Sequence, residues 1–121
     1  PRESEFPKYG EDYYDSYCKF FIYGNSKERM PDHVKIFNKV GLAYGFLLDN
    51  AYIVDFENKI EFFLSAVVYS NSNGVLNDDS YDYDTLTIPF LADVGRAIYE
   101  YELQRDREFD PDLSHLNKID S

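Results

Sequence analysis

One cysteine, no tryptophan and no long apolar run set the first limits on this chain. With Cys18 alone, no intrachain disulfide forms and no zinc site can be built on cysteines, while a single thiol suits either redox compartment. No stretch reaches the roughly 18 consecutive apolar residues that mark a membrane-spanning helix, so no membrane insertion is expected. No charged-then-apolar leader is legible ahead of the first apolar segments. Basic residues are scarce: 12 Lys and Arg stand against 23 Asp and Glu, a formal charge of −11. Phosphate backbones and anionic surfaces are held by clusters of Lys and Arg, and none occurs, so nucleic acid is not an expected partner. The chain starts at Pro1, which fits a trimmed methionine, a processed precursor or a fragment.

What is present argues for a folded body. Of 121 residues, 44% are hydrophobic and 18% aromatic, carried by 12 Tyr and 10 Phe. An acidic disordered segment would lack those rings. The length suits one domain, able to bury roughly two-thirds of the surface its unfolded chain exposes.

Residues 1–19 are polar, Tyr-rich and aperiodic, with Pro1, Pro7 and Gly10 as breakers, and read as an irregular lead-in. Phe20–Tyr23 is a short apolar segment, compatible with a strand or a helix end, stopped by Gly24-Asn25. Pro31 holds Met30 extended, and a strand is predicted near 33–39, followed by others near 46–55 and 60–69. Asp55-Phe56-Glu57-Asn58-Lys59 supplies turn chemistry between the last two.

Ile60–Tyr69 (IEFFLSAVVY) is the clearest strand and is apolar on both faces. Phe62, Leu64, Ala66 and Val68 lie on one side; Phe63, Val67 and Tyr69 lie on the other. Both sides therefore need cover. Thr87 can cap a helix with Pro89 in its first turn, and Phe90, Val94, Ala97, Ile98 and Tyr101 recur at helical spacing as its expected buried stripe. Gly95, beside that stripe, is expected to let the helix approach the sheet. One helix covers one face, which leaves the other for a partner. The fold class expected is α+β: an antiparallel sheet of about three strands with a C-terminal helix near 87–104 packed on it. Residues 20–105 form the body and 106–121 a charged tail.

The ordered series Lys39-Val40-Gly41, Tyr44-Gly45, Asp49-Asn50-Ala51, the strand Ile60–Tyr69 and the segment Leu86–Leu103 resembles the C-terminal part of class A β-lactamase-like serine hydrolases, the penicillin-recognising group. There a strand ending Lys-Thr-Gly is followed by Tyr-Gly, an Asp-x-Ala strand, a last strand and a helix. Met30-Pro31-Asp32-His33 fits the turn before that strand. The resemblance spans residues 20–105 and implies a partial β-lactamase-like fold.

By that resemblance Lys39 adds positive potential for a substrate carboxylate and for the nucleophile, and Gly41 keeps the strand bare so that substrate can lie against backbone. The N–H of Leu42 is a candidate oxyanion-hole donor. The position of Val40 normally offers a hydroxyl to the carboxylate, which valine cannot. The resemblance implies acyl transfer to or hydrolysis of an amide or ester, with a β-lactam still open; Val40 favours a different ester, amide or peptide, or loss of activity. The resemblance implies a periplasmic or cell-envelope location, a small-molecule substrate in the complete protein and no cofactor.

The family's nucleophile sits in Ser-x-x-Lys on a helix far upstream, with a general base to activate it. Ser16-Tyr17-Cys18-Lys19 matches formally but lies in an aperiodic segment just before Lys39, and Tyr69-Ser70-Asn71 imitates a second motif on the wrong side of Lys39; both are read as coincidence. The chain alone is therefore expected to be inactive, needing the remainder of the hydrolase domain, with a second copy of the chain as the other candidate cover for the open face. The alternative is a stand-alone, non-catalytic α+β binding or structural module.

Remaining clusters point to structure. Asp78, Asp79, Asp82 and Asp84 crowd one loop but lack a calcium-loop register. His33 and His115 have no companions at ligand spacing, so no metal site is expected. Cys18 has only Lys19 as basic context, too little for a reactive thiol. Tyr9, Tyr13, Tyr14, Tyr17, Tyr81 and Tyr83 suit a binding face and packing under loops equally.

Overall fold

The computed structural model describes residues 10, 12–70 and 83–116, with only the backbone at 84 and 85. Its elements are α1 (Phe20–Tyr23), β1 (Val34–Ala43), β2 (Phe46–Asp55), β3 (Ile60–Tyr69), a π-helical turn (Tyr83–Thr87) and α2 (Ile88–Gln104). The three strands form one antiparallel sheet in the order β1-β2-β3, and with the C-terminal helix the fold is α+β. Strand β1 runs four residues past its predicted end. It closes on a two-residue turn, Tyr44-Gly45, where both φ angles are positive (51° and 90°), as a hairpin with right-handed strand twist requires. At the other end the Asp55 carboxylate accepts the Glu57 and Asn58 N–H groups at 2.9 and 3.0 Å, which shapes the β2–β3 turn.

Register assigns the faces. Val34, Ile36, Asn38 and Val40 of β1 pair with Asp55, Ile53, Ala51 and Asp49 of β2, which pair in turn with Ile60, Phe62, Leu64 and Ala66 of β3. This is the core face. Phe21, Ile53, Leu47 and Leu91 are fully buried on or over it. The segment Phe20–Tyr23 lies between the sheet and α2, with non-helical backbone at Phe21 and Ile22.

Helix α2 has its predicted span and its Pro in the first turn, but buries a different stripe. Leu91, Ala92 and Gly95 are buried, whereas Phe90 and Tyr101 are 52% and 62% exposed and Ala97 is exposed too. Val94 and Ile98 are half-buried at the margin. The reason is Gly95. A Cβ there would lie 2.5 Å from the Ile22 nitrogen and 2.8 Å from Phe21 Cβ, so it is against α1, and not the sheet, that this glycine permits close approach. Thr87 does not cap the helix: it has helical backbone angles, continues the π-helical turn and makes no side-chain cap.

Among the described residues, the second face is covered at one end only. Leu113 and Leu116, from the segment expected to be a charged tail, pack on Val54, with Tyr52 and Phe56 beside them. Beyond that end no described residue packs over Phe63, 82% exposed, or Val67, 64% exposed.

Candidate functional site

Lys39, Val40, Gly41 and Leu42 lie in the second half of β1, an edge strand of the sheet. Alternation sends Lys39 and Gly41 to the open face, and Val40 and Leu42 to the core face. Val40 packs against the core, so no side chain at that position addresses the open face. Gly41 pairs with Leu48, and a Cβ on it would crowd the Leu48 side chain at 3.2 Å. The exposed Lys39 turns its ammonium back to the Val40 carbonyl at 3.1 Å.

Backbone phase completes the geometry. The Phe56 N–H donates to the His33 carbonyl at 2.8 Å, and the Tyr44-Gly45 turn makes Ala43 and Phe46 the flanking hydrogen-bonded pair. Odd-numbered residues of β1 therefore bond to β2, while Val40 and Leu42 direct their N–H and C=O outward, along an edge that no described strand pairs with. Lys39 and the Leu42 N–H are thus brought to one edge. A carbonyl lying along it could meet a backbone donor and a nearby cation.

Register also brings in Asn50, quoted from sequence only within a motif, and Ser65, which sequence reasoning passed over. Lys39 pairs with Asn50 and Asn50 with Ser65, so an exposed polar row crosses all three strands on the open face. Phe37, Tyr52 and Phe63 form the row on one side, with ring centroids 6.2 and 4.7 Å apart. Gly41, Leu48 and Val67 form the row on the other, and beyond it the Phe46 and Tyr69 rings meet at a tilt, centroids 4.7 Å apart. The signal was the Tyr44-Gly45 turn, which fixes the register. Tyr52 also donates its hydroxyl to Glu61; partial burial and that carboxylate push its pKa up to about 12.

The formal Ser-x-x-Lys is taken up in structure. Ser16 is buried and donates Oγ to the Ser26 carbonyl at 2.7 Å, while Lys19 donates to Asn38 Oδ1 at 2.7 Å. Asn38 Nδ2 in turn donates to the Cys18 carbonyl and to Asp49. Burial raises the Asp49 carboxyl above its usual range, against the opposing pull of Asn38, Lys19 and the Phe21 and Phe20 N–H groups. Asp49 therefore anchors the α1 segment and lies on the face opposite Lys39. Burial likewise raises the Cys18 thiol, the reverse of what a reactive thiolate needs.

A second buried carboxylate, Asp55, accepts the Tyr99 hydroxyl and Asn58 Nδ2, the latter at 2.7 Å, with His33 Nε2 at 4.0 Å. Burial alone would raise its pKa, but the hydrogen bonds from Tyr99 and Asn58 and the charge of His33 prevail, and the carboxyl sits below its usual range. His33 also faces Glu57 at 3.2 Å, and His115 is exposed elsewhere. Among the described residues no group of three or more His, Cys, Asp or Glu is placed to hold a metal. Asp78, Asp79, Asp82, Tyr9, Tyr81 and Asn71 lie outside the described residues, as does the side chain of Asp84. Tyr13 and Tyr14 each pack edge to face on Tyr17. No helix among the described residues is long and apolar enough to cross a membrane.

No family model matches the chain, and no curated protein or solved structure matches it.

Proposed function

We propose that this chain is the C-terminal part of a β-lactamase-like serine hydrolase, and that it contributes the substrate-binding strand while the nucleophile and its general base come from outside residues 1–121. The observation that supports this reading is the position of Lys39 on β1: exposed, on the sheet face opposite the core, and three residues from the outward N–H of Leu42 on an edge that no described strand pairs with. In acyl transfer a serine Oγ attacks the substrate carbonyl and charge develops on its oxygen. A fixed backbone N–H and a cation stabilise that oxyanion more than the neutral ground state. The tetrahedral intermediate then expels the leaving group, and water later releases the acyl group from the serine. The Leu42 N–H takes the donor role, and Lys39 supplies positive potential once its ammonium swings away from the Val40 carbonyl.

The side chain at Val40 has no hydroxyl and lies in the core. The substrate class is therefore an ester, amide or peptide whose recognition does not depend on a hydroxyl beside Lys39. A stand-alone binding module is the second reading. It is favoured by the use of Ser16 and Lys19 in internal hydrogen bonds, which leaves neither as part of an activated dyad. Labelling of the native protein with a fluorophosphonate, followed by intact mass and peptide mapping, separates the two. The hydrolase reading expects a mass above 14.2 kDa and a labelled serine outside residues 1–121. A native chain of 14.2 kDa that takes no label would overturn it.

A further inference from the structure

We infer that residues 105–116 are a strap that opens as one unit, hinged at the end of α2, while the sheet and its core stay folded. The strap is a gate over one end of the second sheet face, and the inference does not rest on the hydrolase reading.

The strap is held at two points, both through side chains. Arg107 is the first: Nη1 donates to the Glu102 carbonyl in the last turn of α2 and Nη2 to the Asn58 carbonyl in the β2–β3 turn, each at 3.1 Å. Leu113 and Leu116, packed on Val54, are the second. The backbone contributes only local bonds. The Arg105 N–H turns back to the Tyr101 carbonyl, where extended angles end the helix, and the Leu116 N–H turns back to the Leu113 carbonyl. Among the described residues no backbone hydrogen bond joins the strap to the sheet. A segment without ladder bonds opens at much lower cost than the strands beneath it.

Between the two points the strap is loosely packed. Glu61 of β3 and Arg105, Arg107, Phe109, Asp110 and Pro111 of the strap line a cavity of about 250 Å³, and Phe109 stays 79% exposed. The ion pairs there are long, with Asp110 3.9 Å from both Lys59 and Arg107. Closure also has a cost. Arg107 Nε is buried with no hydrogen-bond partner among the described residues, and water satisfies it once the strap lifts. Closed, the strap completes the burial of Val54; lifted, it bares Val54 beside the aromatic row Phe37, Tyr52, Phe63.

Thiol labelling of the full chain in a Cys18→Ser background tests this. Val54→Cys reports on the strap, and Ala51→Cys, buried on the core face, reports on the sheet. With reagent dilute enough that reclosing outpaces labelling, each rate follows the population of its open form. Val54→Cys should label at least about tenfold faster than Ala51→Cys, with little dependence on urea, whereas the Ala51→Cys rate should climb steeply with urea. Arg107→Gln, which removes both bonds of the clamp, should speed Val54→Cys about tenfold. Gly95→Ala, at the contact with α1, should speed Ala51→Cys and leave Val54→Cys unchanged. In the chain without substitutions, exchange of the Leu116 amide should show the same weak urea dependence. A Val54→Cys thiol that labels no faster than Ala51→Cys and with the same urea slope would overturn the inference. So would one that ignores Arg107→Gln or follows Gly95→Ala, or a Leu116 amide that exchanges only on global unfolding.

Discussion

Tyr99, on α2, donates its hydroxyl to the carboxylate of Asp55 at the end of β2, and this bond ties the helix to the sheet. The same carboxylate holds the β2–β3 turn through Glu57 and Asn58, so one buried side chain joins three parts of the fold. Removing one partner of a buried charged hydrogen bond leaves the other unsatisfied. Tyr99→Phe and Asp55→Asn are each expected to destabilise the chain by about 2 kcal/mol in urea unfolding. The double variant should lose less than the sum, because both remove the same bond.

The pH dependence follows from the sign of the Asp55 shift. Its folded pKa is depressed, so its stabilisation is fully present above the unfolded value of about 3.9 and disappears as pH falls through the folded pKa. Asp49, whose carboxyl is raised, acts in the opposite sense: protonation in acid relieves the cost of its buried charge. The difference between wild type and Asp55→Asn cancels the Asp49 contribution. That difference should be constant near neutral pH and shrink in the acid range below about pH 4. A gap that widens in acid would contradict the assignment.

Gly95→Ala sets two effects against each other. Alanine favours a helix over glycine by about 1 kcal/mol. Here its methyl would meet the Ile22 nitrogen at 2.5 Å, a backbone atom that cannot move without shifting α1. The clash should win, with a net loss of about 2 kcal/mol by thermal or urea unfolding. A stabilised variant would mean that α1 and α2 are not packed at this point.

Much of the sheet was legible in the sequence, because its strands are apolar runs bounded by turn chemistry. Tyr44-Gly45 lacks the Asn-Gly or Asp-Gly signature of such a turn, and tyrosine seldom adopts a positive φ, yet this turn is what lengthens β1 and fixes the register of the polar row. The helix stripe was misplaced because periodicity weighs Phe90 and Tyr101 by hydrophobicity, whereas the buried side is set by the close approach at Gly95. Leu113 and Leu116 were hidden in a charged segment, two leucines with only Val54 and its neighbours to mark their place. At the candidate site, the Lys39-Val40-Gly41 series was visible, but the placement of Asn50 and Ser65 beside Lys39 depends on pairing between distant strands.

Ser16→Ala is expected to cost about 1 kcal/mol of stability, through loss of the bond to the Ser26 carbonyl. It should leave any reactivity of the native protein toward a fluorophosphonate unchanged. Loss of labelling in this variant would make Ser16 the nucleophile.

Lys39→Ala carries the central claim most directly. Lys39 is exposed and its ammonium donates to the neighbouring Val40 carbonyl, so the variant should melt as the wild type does. In the native hydrolase, the same change should lower kcat/KM toward an activated ester about a hundredfold, the scale of losing a group aimed at developing oxyanion charge. An unchanged kcat/KM in a folded, labelled enzyme would contradict the placement of Lys39 at the reacting carbonyl.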